Sequence, residues 1–231
     1  MDKFFIFMYY INMKLSITVP TELKDLTLGQ YQKFVKIQKA NQDPTFIAQK
    51  MIEIFCGIDL KDTFKIKVTD VNEIVAILNK LFDNKPELIT TFKMNDNEYG
   101  FIPNLEEISL GEYVDVDSYL SDWDNMHLAM NVLYRPIKMK YGGKYDIVDY
   151  DAKESEVMKN MRLDIVFSCL VFFYNLGIDL SNDMMDYLMD KRLTNLSGDA
   201  VSSATNGVGM DAFTNSLKAI LQNSRISLSK G

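Results

Sequence analysis

One histidine and two cysteines are all that 231 residues offer of the side chains most used as soft metal ligands. No Cys-x-x-Cys occurs, so a zinc site has almost nothing to build on. Cys56 and Cys169 each sit inside an apolar run, IEIFCG and VFSCLVFF, and read as small buried hydrophobes of a reducing compartment. The chain lacks a Gly-x-x-x-x-Gly-Lys phosphate loop and a glycine fingerprint following a strand, and Gly142-Gly143-Lys144 is too short to replace either. Clustered lysine and arginine are also missing. Acidic residues outnumber basic ones 32 to 25 and the basic residues are scattered singly, which disfavours a nucleic-acid partner and favours a protein one. No apolar run approaches the roughly 20 residues of a membrane span. Residues 4–11 are too short for one and lack a small-residue cleavage site, so a signal peptide is not expected. Residues 165–176, interrupted by Ser168, Tyr174 and Asn175, suit a buried core helix better than a span.

The pattern that remains is mainly α with a small β component, an α+β arrangement of a helical core plus a β-hairpin. Residues 14–19 alternate Leu15, Ile17 and Val19 with polar positions and stop at Pro20, which reads as a strand. Thr27 suits the cap of a helix over 27–40, and Asp43-Pro44 with Gly57 frames a second. Asp70 reads as the cap of a third, striped by Val71, Ile74, Val75, Leu78 and Leu81. Residues 88–102 read as a hairpin turning at Asn95-Asp96-Asn97, with Phe92 and Met94 facing Tyr99 and Phe101. Gly111 weakens a helix over 109–117. Residues 124–133 read as a helix ended by Pro136, 144–148 as a strand after Gly142-Gly143, 155–176 as the central core helix, and 184–189 as a short separate helix. Gly-Ile-Asp-Leu occurs twice, at 57–60 and 177–180, and reads as a shared helix ending.

The expected domain organisation has four parts. Residues 1–12 form a non-native or disordered leader, Met13 competing with Met1 as the start, and 13–196 form a single globular domain. Residues 197–209, SGDAVSSATNGVG, form a flexible linker, and 210–231 a C-terminal amphipathic helix and tail. Phe213, Leu217, Ile220 and Leu221 would share the apolar side of that helix and dock a partner.

Candidate chemistry is sparse. His127 as a base would need an orienting carboxylate, and Asp122 and Asp124 are near in sequence, but a lone histidine between apolar positions is more often structural. Asp115, Asp117, Asp122 and Asp124 lack the glycine turn and terminal glutamate of a calcium loop. Arg135, held in extended backbone by Pro136, reads as a structural clamp pairing with Glu112 or Asp115, Glu112 being the first choice. No catalytic, cofactor-binding or metal-ligating residue is assigned.

A set of words runs in order through 101–180: Phe101-Ile102-Pro103-Asn104-Leu105, Gly111-Glu112-Tyr113-Val114-Asp115, Met126-His127, Val132-Leu133-Tyr134-Arg135-Pro136-Ile137, Tyr145-Asp146-Ile147, and Phe172-Phe173 before Asn175-Leu176. This stretch resembles small structural and tail-assembly, chaperone-like proteins of tailed bacteriophages. The resemblance implies a virion-associated or tail-assembly protein acting through protein–protein contacts in particle morphogenesis, and no enzyme. It also implies partners among tail or neck components or further copies of the chain; the charge and the short apolar runs above argue against a nucleic-acid or membrane partner. The place of work would be the host cytoplasm during assembly, or the virion, and no cofactor is implied. Two alternatives stay open: a small hydrolase or transferase using His127 with an acidic residue, and a DNA-packaging accessory protein.

Overall fold

Helix α1 (Leu28–Ala40) starts where its own side chains close a capping box: the Thr27 hydroxyl accepts from the Gln30 backbone N–H, and the Gln30 side chain accepts from the Thr27 N–H at 2.9 Å. Helix α2 (Pro44–Cys56) follows a three-residue connection. Asp43 caps it, Pro44 sits at its first position, and Gly57 ends it in the left-handed region at φ 68°. The computed structural model describes residues 5–8, 16–194 and 215.

Preceding α1, strand β2 (Ser16–Val19) alternates exposed Ser16 and Thr18 with fully buried Ile17 and Val19. It pairs antiparallel with β1 (Phe5–Met8), in register Phe5↔Val19 to Met8↔Ser16. Residues 5–8 therefore belong to the fold as a strand, which differs from the expectation of a leader over 1–12.

After α2 come a single turn, α3 (Leu60–Thr63), and α4 (Val68–Leu81). The cap position of α4 is Lys67, not Asp70 as the sequence suggested. Asp70 lies in the first turn, where its charge suits the helix N-terminus, and its carboxylate accepts from the Thr69 hydroxyl at 2.9 Å. The predicted stripe forms: Ile74, Val75, Leu78 and Leu81 are buried and Val71 packs against them.

The second layer is an antiparallel sheet in the order β3-β4-β5-β6. Strands β3 (Thr91–Met94) and β4 (Asn97–Phe101) form the predicted hairpin, with Asn95 (φ 50°) and Asp96 (φ 63°) as its two central residues. Two positive φ values in a two-residue loop match the twist of the flanking strands. Phe92 lies opposite Tyr99, rings 5.4 Å apart and nearly parallel. Helices α5 (Leu110–Tyr119) and α6 (Met126–Leu133) intervene before β5 (Tyr134–Tyr141) and β6 (Lys144–Ile147) complete the sheet. Pro136 ends no helix here: α6 stops at Leu133 and Pro136 lies inside β5. Its carbonyl accepts from Val148 just beyond β6, so its missing N–H falls past the end of that ladder, where proline is tolerated. Gly100 is required by close approach. A Cβ there would lie 2.4 Å from the Tyr145 ring, whose hydroxyl crosses β4 to donate to the Phe101 carbonyl at 2.8 Å.

Helix α7 (Leu163–Thr194) joins the layers. It starts later than the sequence suggested, because residues 152–160 form a 3-10 segment, and it runs on through Gly177. The separate helix over 184–189 is part of it, and the two Gly-Ile-Asp-Leu words differ, since only Gly57 ends a helix. Backbone bonds from Leu28 N–H to Met161 and from Leu163 N–H to Leu26 lock its start to that of α1. Its window Leu163–Leu180, of mean hydropathy 1.7, is long and apolar enough to cross a membrane, but 44% of it is buried within the protein.

Two groups of aromatic rings meet along α7. Tyr31 touches Phe55, Phe82, Trp123 and Phe167 on the helical side. Phe101 touches Tyr134, Phe172 and Phe173 on the sheet side. Cys169 is fully buried and Cys56 half-buried; both are free thiols, and burial pushes both upward, Cys56 to about 12.

Candidate functional site

The cleft between α5 and the end of the sheet gathers most of the sequence words that drew attention. At its centre an Arg135 terminal nitrogen lies 2.9 Å from Glu112 Oε1, both side chains 12% exposed. The other carboxylate oxygen, Oε2, accepts from the Ser109 backbone N–H at 2.8 Å and from its hydroxyl at 2.6 Å, while the Ser109 Oγ accepts from the Glu112 N–H at 3.3 Å. Glu112 thus closes the capping box of α5 with one oxygen and holds β5 with the other. This box is why α5 forms despite Gly111. The spacing Ser109-x-x-Glu112 signalled it, and the sequence reading weighed the glycine instead. Burial would raise the Glu112 carboxyl, but the Ser109 hydrogen bonds and the Arg135 charge outweigh it and hold the group below its usual range.

The expected pair, Arg135 and Glu112, is brought together, whereas Asp115 accepts from the Tyr150 hydroxyl at 2.9 Å. The cleft, of about 460 Å3, is floored by Ile102, Ile108 and Ile147 and rimmed by Glu107, Lys138 and Met139. Arg135 Nε has no protein acceptor among the described residues.

His127 is buried on α6. The Gln32 amide nitrogen, which also donates to the Trp123 carbonyl at 2.7 Å, lies 3.1 Å from Nδ1. That contact makes Nδ1 the acceptor and leaves the proton of the neutral ring on Nε2, 3.4 Å from Glu156 Oε1. Asp122 and Asp124 do not orient the ring; their carboxylates lie 3.4 and 3.3 Å from Lys39 Nζ. Burial, then the charge of Lys159, lower the His127 pKa, against a smaller opposing effect of Glu156. No described hydrogen bond joins the ring to a hydroxyl or thiol, so the geometry assembles no nucleophile beside it.

No protein-family model, curated protein or solved structure matches this chain.

Among the described residues no group of three or more His, Cys, Asp or Glu gathers as for a metal ion. The four aspartates of the loose calcium pattern do not converge on one point: Asp115 goes to Tyr150, Asp122 and Asp124 share Lys39, and Asp117 is exposed. The docking residues expected in the tail, Phe213, Leu217, Ile220 and Leu221, lie outside the described residues, as do the linker 197–209 and the bounds of the C-terminal helix.

A feature the sequence reading missed is the outer side of α5. Leu110, Tyr113 and Val114 are 78%, 58% and 51% exposed. Their spacing of three and four puts them on one face, opposite Glu112 and the buried Val116. The i, i+3, i+4 pattern was present in the sequence, but periodicity alone does not say which side of a helix meets the core.

Proposed function

We propose that this chain is a bacteriophage morphogenesis protein, virion-associated or acting in tail assembly, that works through protein–protein contacts rather than catalysis. One observation carries the reading. Several polar groups of the 101–150 module are engaged with one another, whereas its large apolar side chains on α5 are turned to solvent. Glu112 joins Ser109 to Arg135, Tyr145 reaches the Phe101 carbonyl and Tyr150 reaches Asp115. Leu110, Tyr113 and Val114 stand outward. These hydrogen bonds and the ion pair tie segments of the module together, and exposed apolar clusters mark interaction surfaces. The words resembling tail-assembly proteins supply much of this module, and partners among tail or neck subunits follow from that resemblance.

The test is deletion of the coding sequence from the genome that carries it, with lysates inspected by electron microscopy. Incomplete particles, restored by wild-type protein and equally by His127→Gln, are expected. Normal particles without the coding sequence would remove the assembly reading, and failure of His127→Gln alone, with the protein folded, would favour the enzyme alternative.

A further inference from the structure

We propose that the outward face of α5 is a docking surface for a cationic amphipathic helix of a partner protein. The inference rests on the assembly reading above and adds the chemistry of the partner.

A helix at a protein surface ordinarily turns its apolar stripe to the core and its charges to water. In α5 this is partly reversed. Val116 reaches the core, but Glu112 also faces inward, clamped by Arg135, while the large apolar Leu110, Tyr113 and Val114 face out. The helix is held from several sides, by the Ser109 capping box, by the Glu112–Arg135 pair and by the Tyr150 hydrogen bond to Asp115. The apolar face is therefore presented on a fixed element, which lowers the ordering cost of binding.

Charge selects the occupant. Between Phe101 and Tyr134 the chain has no lysine or arginine. Glu106, just before α5, and Asp117, four residues after Tyr113 on the same face, are exposed, whereas Glu107 lines the cleft on the Arg135 side. Neither Glu106 nor Asp117 makes an ion pair among the described residues. An apolar strip one to two turns long with one exposed carboxylate on its own face and another just before its start fits a helix whose own apolar stripe is flanked by lysine or arginine. An acidic helix would meet like charge there. Three side chains bury on the order of a few hundred Å2, which places the contact among weak, transient ones with a salt-sensitive affinity.

The test uses the full chain and a fluorescent synthetic helix of ~18 residues, carrying leucines at i, i+3, i+4 and i+7 with flanking lysines, titrated by anisotropy. Two control peptides replace its leucines by serine or its lysines by glutamate. The wild-type chain should bind the leucine/lysine helix with a dissociation constant of about micromolar order and bind both controls at least about tenfold more weakly. The triple variant Leu110→Ser, Tyr113→Ser, Val114→Ser changes only exposed side chains, and circular dichroism verifies its fold. It should lose about tenfold in affinity. Glu106→Gln with Asp117→Asn should weaken binding and flatten its salt dependence, whereas Glu73→Gln, an exposed acid on α4, should do neither. Unchanged affinity in the triple variant, equal binding of the serine peptide, or equal weakening by Glu73→Gln would each overturn the proposal, the last two by reducing it to bulk charge attraction. Residues 210–231 of this chain hold Lys218, Arg225 and Lys230 against Asp211 alone. A peptide of that segment binding where the leucine/lysine helix does not would hand the face to the chain itself and equally overturn it. Unchanged affinity in the triple variant removes only this surface, while normal particles without the coding sequence remove the assembly reading, so the two failures are distinguishable.

Discussion

Arg135 and His127 are the two residues whose chemistry the fold has most clearly put to structural use. The Arg135–Glu112 pair is mostly buried, and removing one partner leaves the other charge without its match. Arg135→Leu should destabilise the protein by about 2–4 kcal/mol, nearer the buried than the exposed limit for broken ion pairs. Thermal unfolding checks this, and a midpoint equal to wild type would show that Ser109 and solvent suffice for Glu112. His127 makes a prediction in pH. Its folded pKa lies below the unfolded value, so the unfolded chain binds the proton more readily. The stability it contributes is full above about pH 6.5, the unfolded value, and is lost as pH falls through the lower folded value. Lys36 of α1 and Lys159 of the 3-10 segment face the ring along with Glu156, so protonation adds a third positive charge beside one exposed carboxylate. His127→Gln should flatten the decline of melting temperature between pH 6.5 and 5. An undiminished decline would assign it to groups other than His127; Glu112 is not among them, because its depressed pKa makes its own contribution fall away only below that interval.

At the scale of elements, α1, α2 and the β3–β4 hairpin were legible because their ends are written locally. Thr27 with Gln30, Pro44 with Gly57, and Asn95-Asp96 each settle a backbone conformation within a few residues. Three other elements were misread because distant packing decides them. Gly177 continues α7, since a glycine costs a helix only about 1 kcal/mol, which the long helix absorbs. Pro136 sits inside β5 because the neighbouring ladder ends beside it, a fact of register invisible before the sheet is assembled. Strand β1 exists through its pairing with β2, Phe5↔Val19 to Met8↔Ser16. The candidate site was half legible: the clamp followed from the restricted backbone before Pro136, but the outward apolar face of α5 depends on which side Arg135 holds. If the capping box is what lets α5 overcome Gly111, Ser109→Ala should cost about 1 kcal/mol. Hydrogen exchange at the amides of α5 should rise before that of α6, and uniform protection across both helices would mean that packing alone holds α5.

For the whole molecule, the buried core extends from Ile17 to Phe173, and the two aromatic groups share α7 as their common wall. Such sharing couples the helical layer to the sheet, because loss of either exposes rings of the other. Trp123, the only tryptophan, is buried against Tyr31 and Phe167 and reports the helical side directly. Its indole N–H has no hydrogen-bond acceptor among the described residues, so its fluorescence follows packing. Among the described residues, no fully buried core side chain lies beyond Phe173, and the backbone of α7 reaches Thr194. If the small, polar composition of 197–209 keeps the tail apart from the body, deleting 197–231 should leave the melting midpoint within error of the full chain, with Trp123 fluorescence and far-ultraviolet circular dichroism coinciding in one transition. If the deleted segment, with Phe213, Leu217, Ile220 and Leu221, serves only to engage partners, the same truncation should still abolish incorporation into particles. A truncated chain that melts early would place those four side chains in the stability of the body. One that melts normally and is incorporated as well as the full chain would leave the contact to the α5 face.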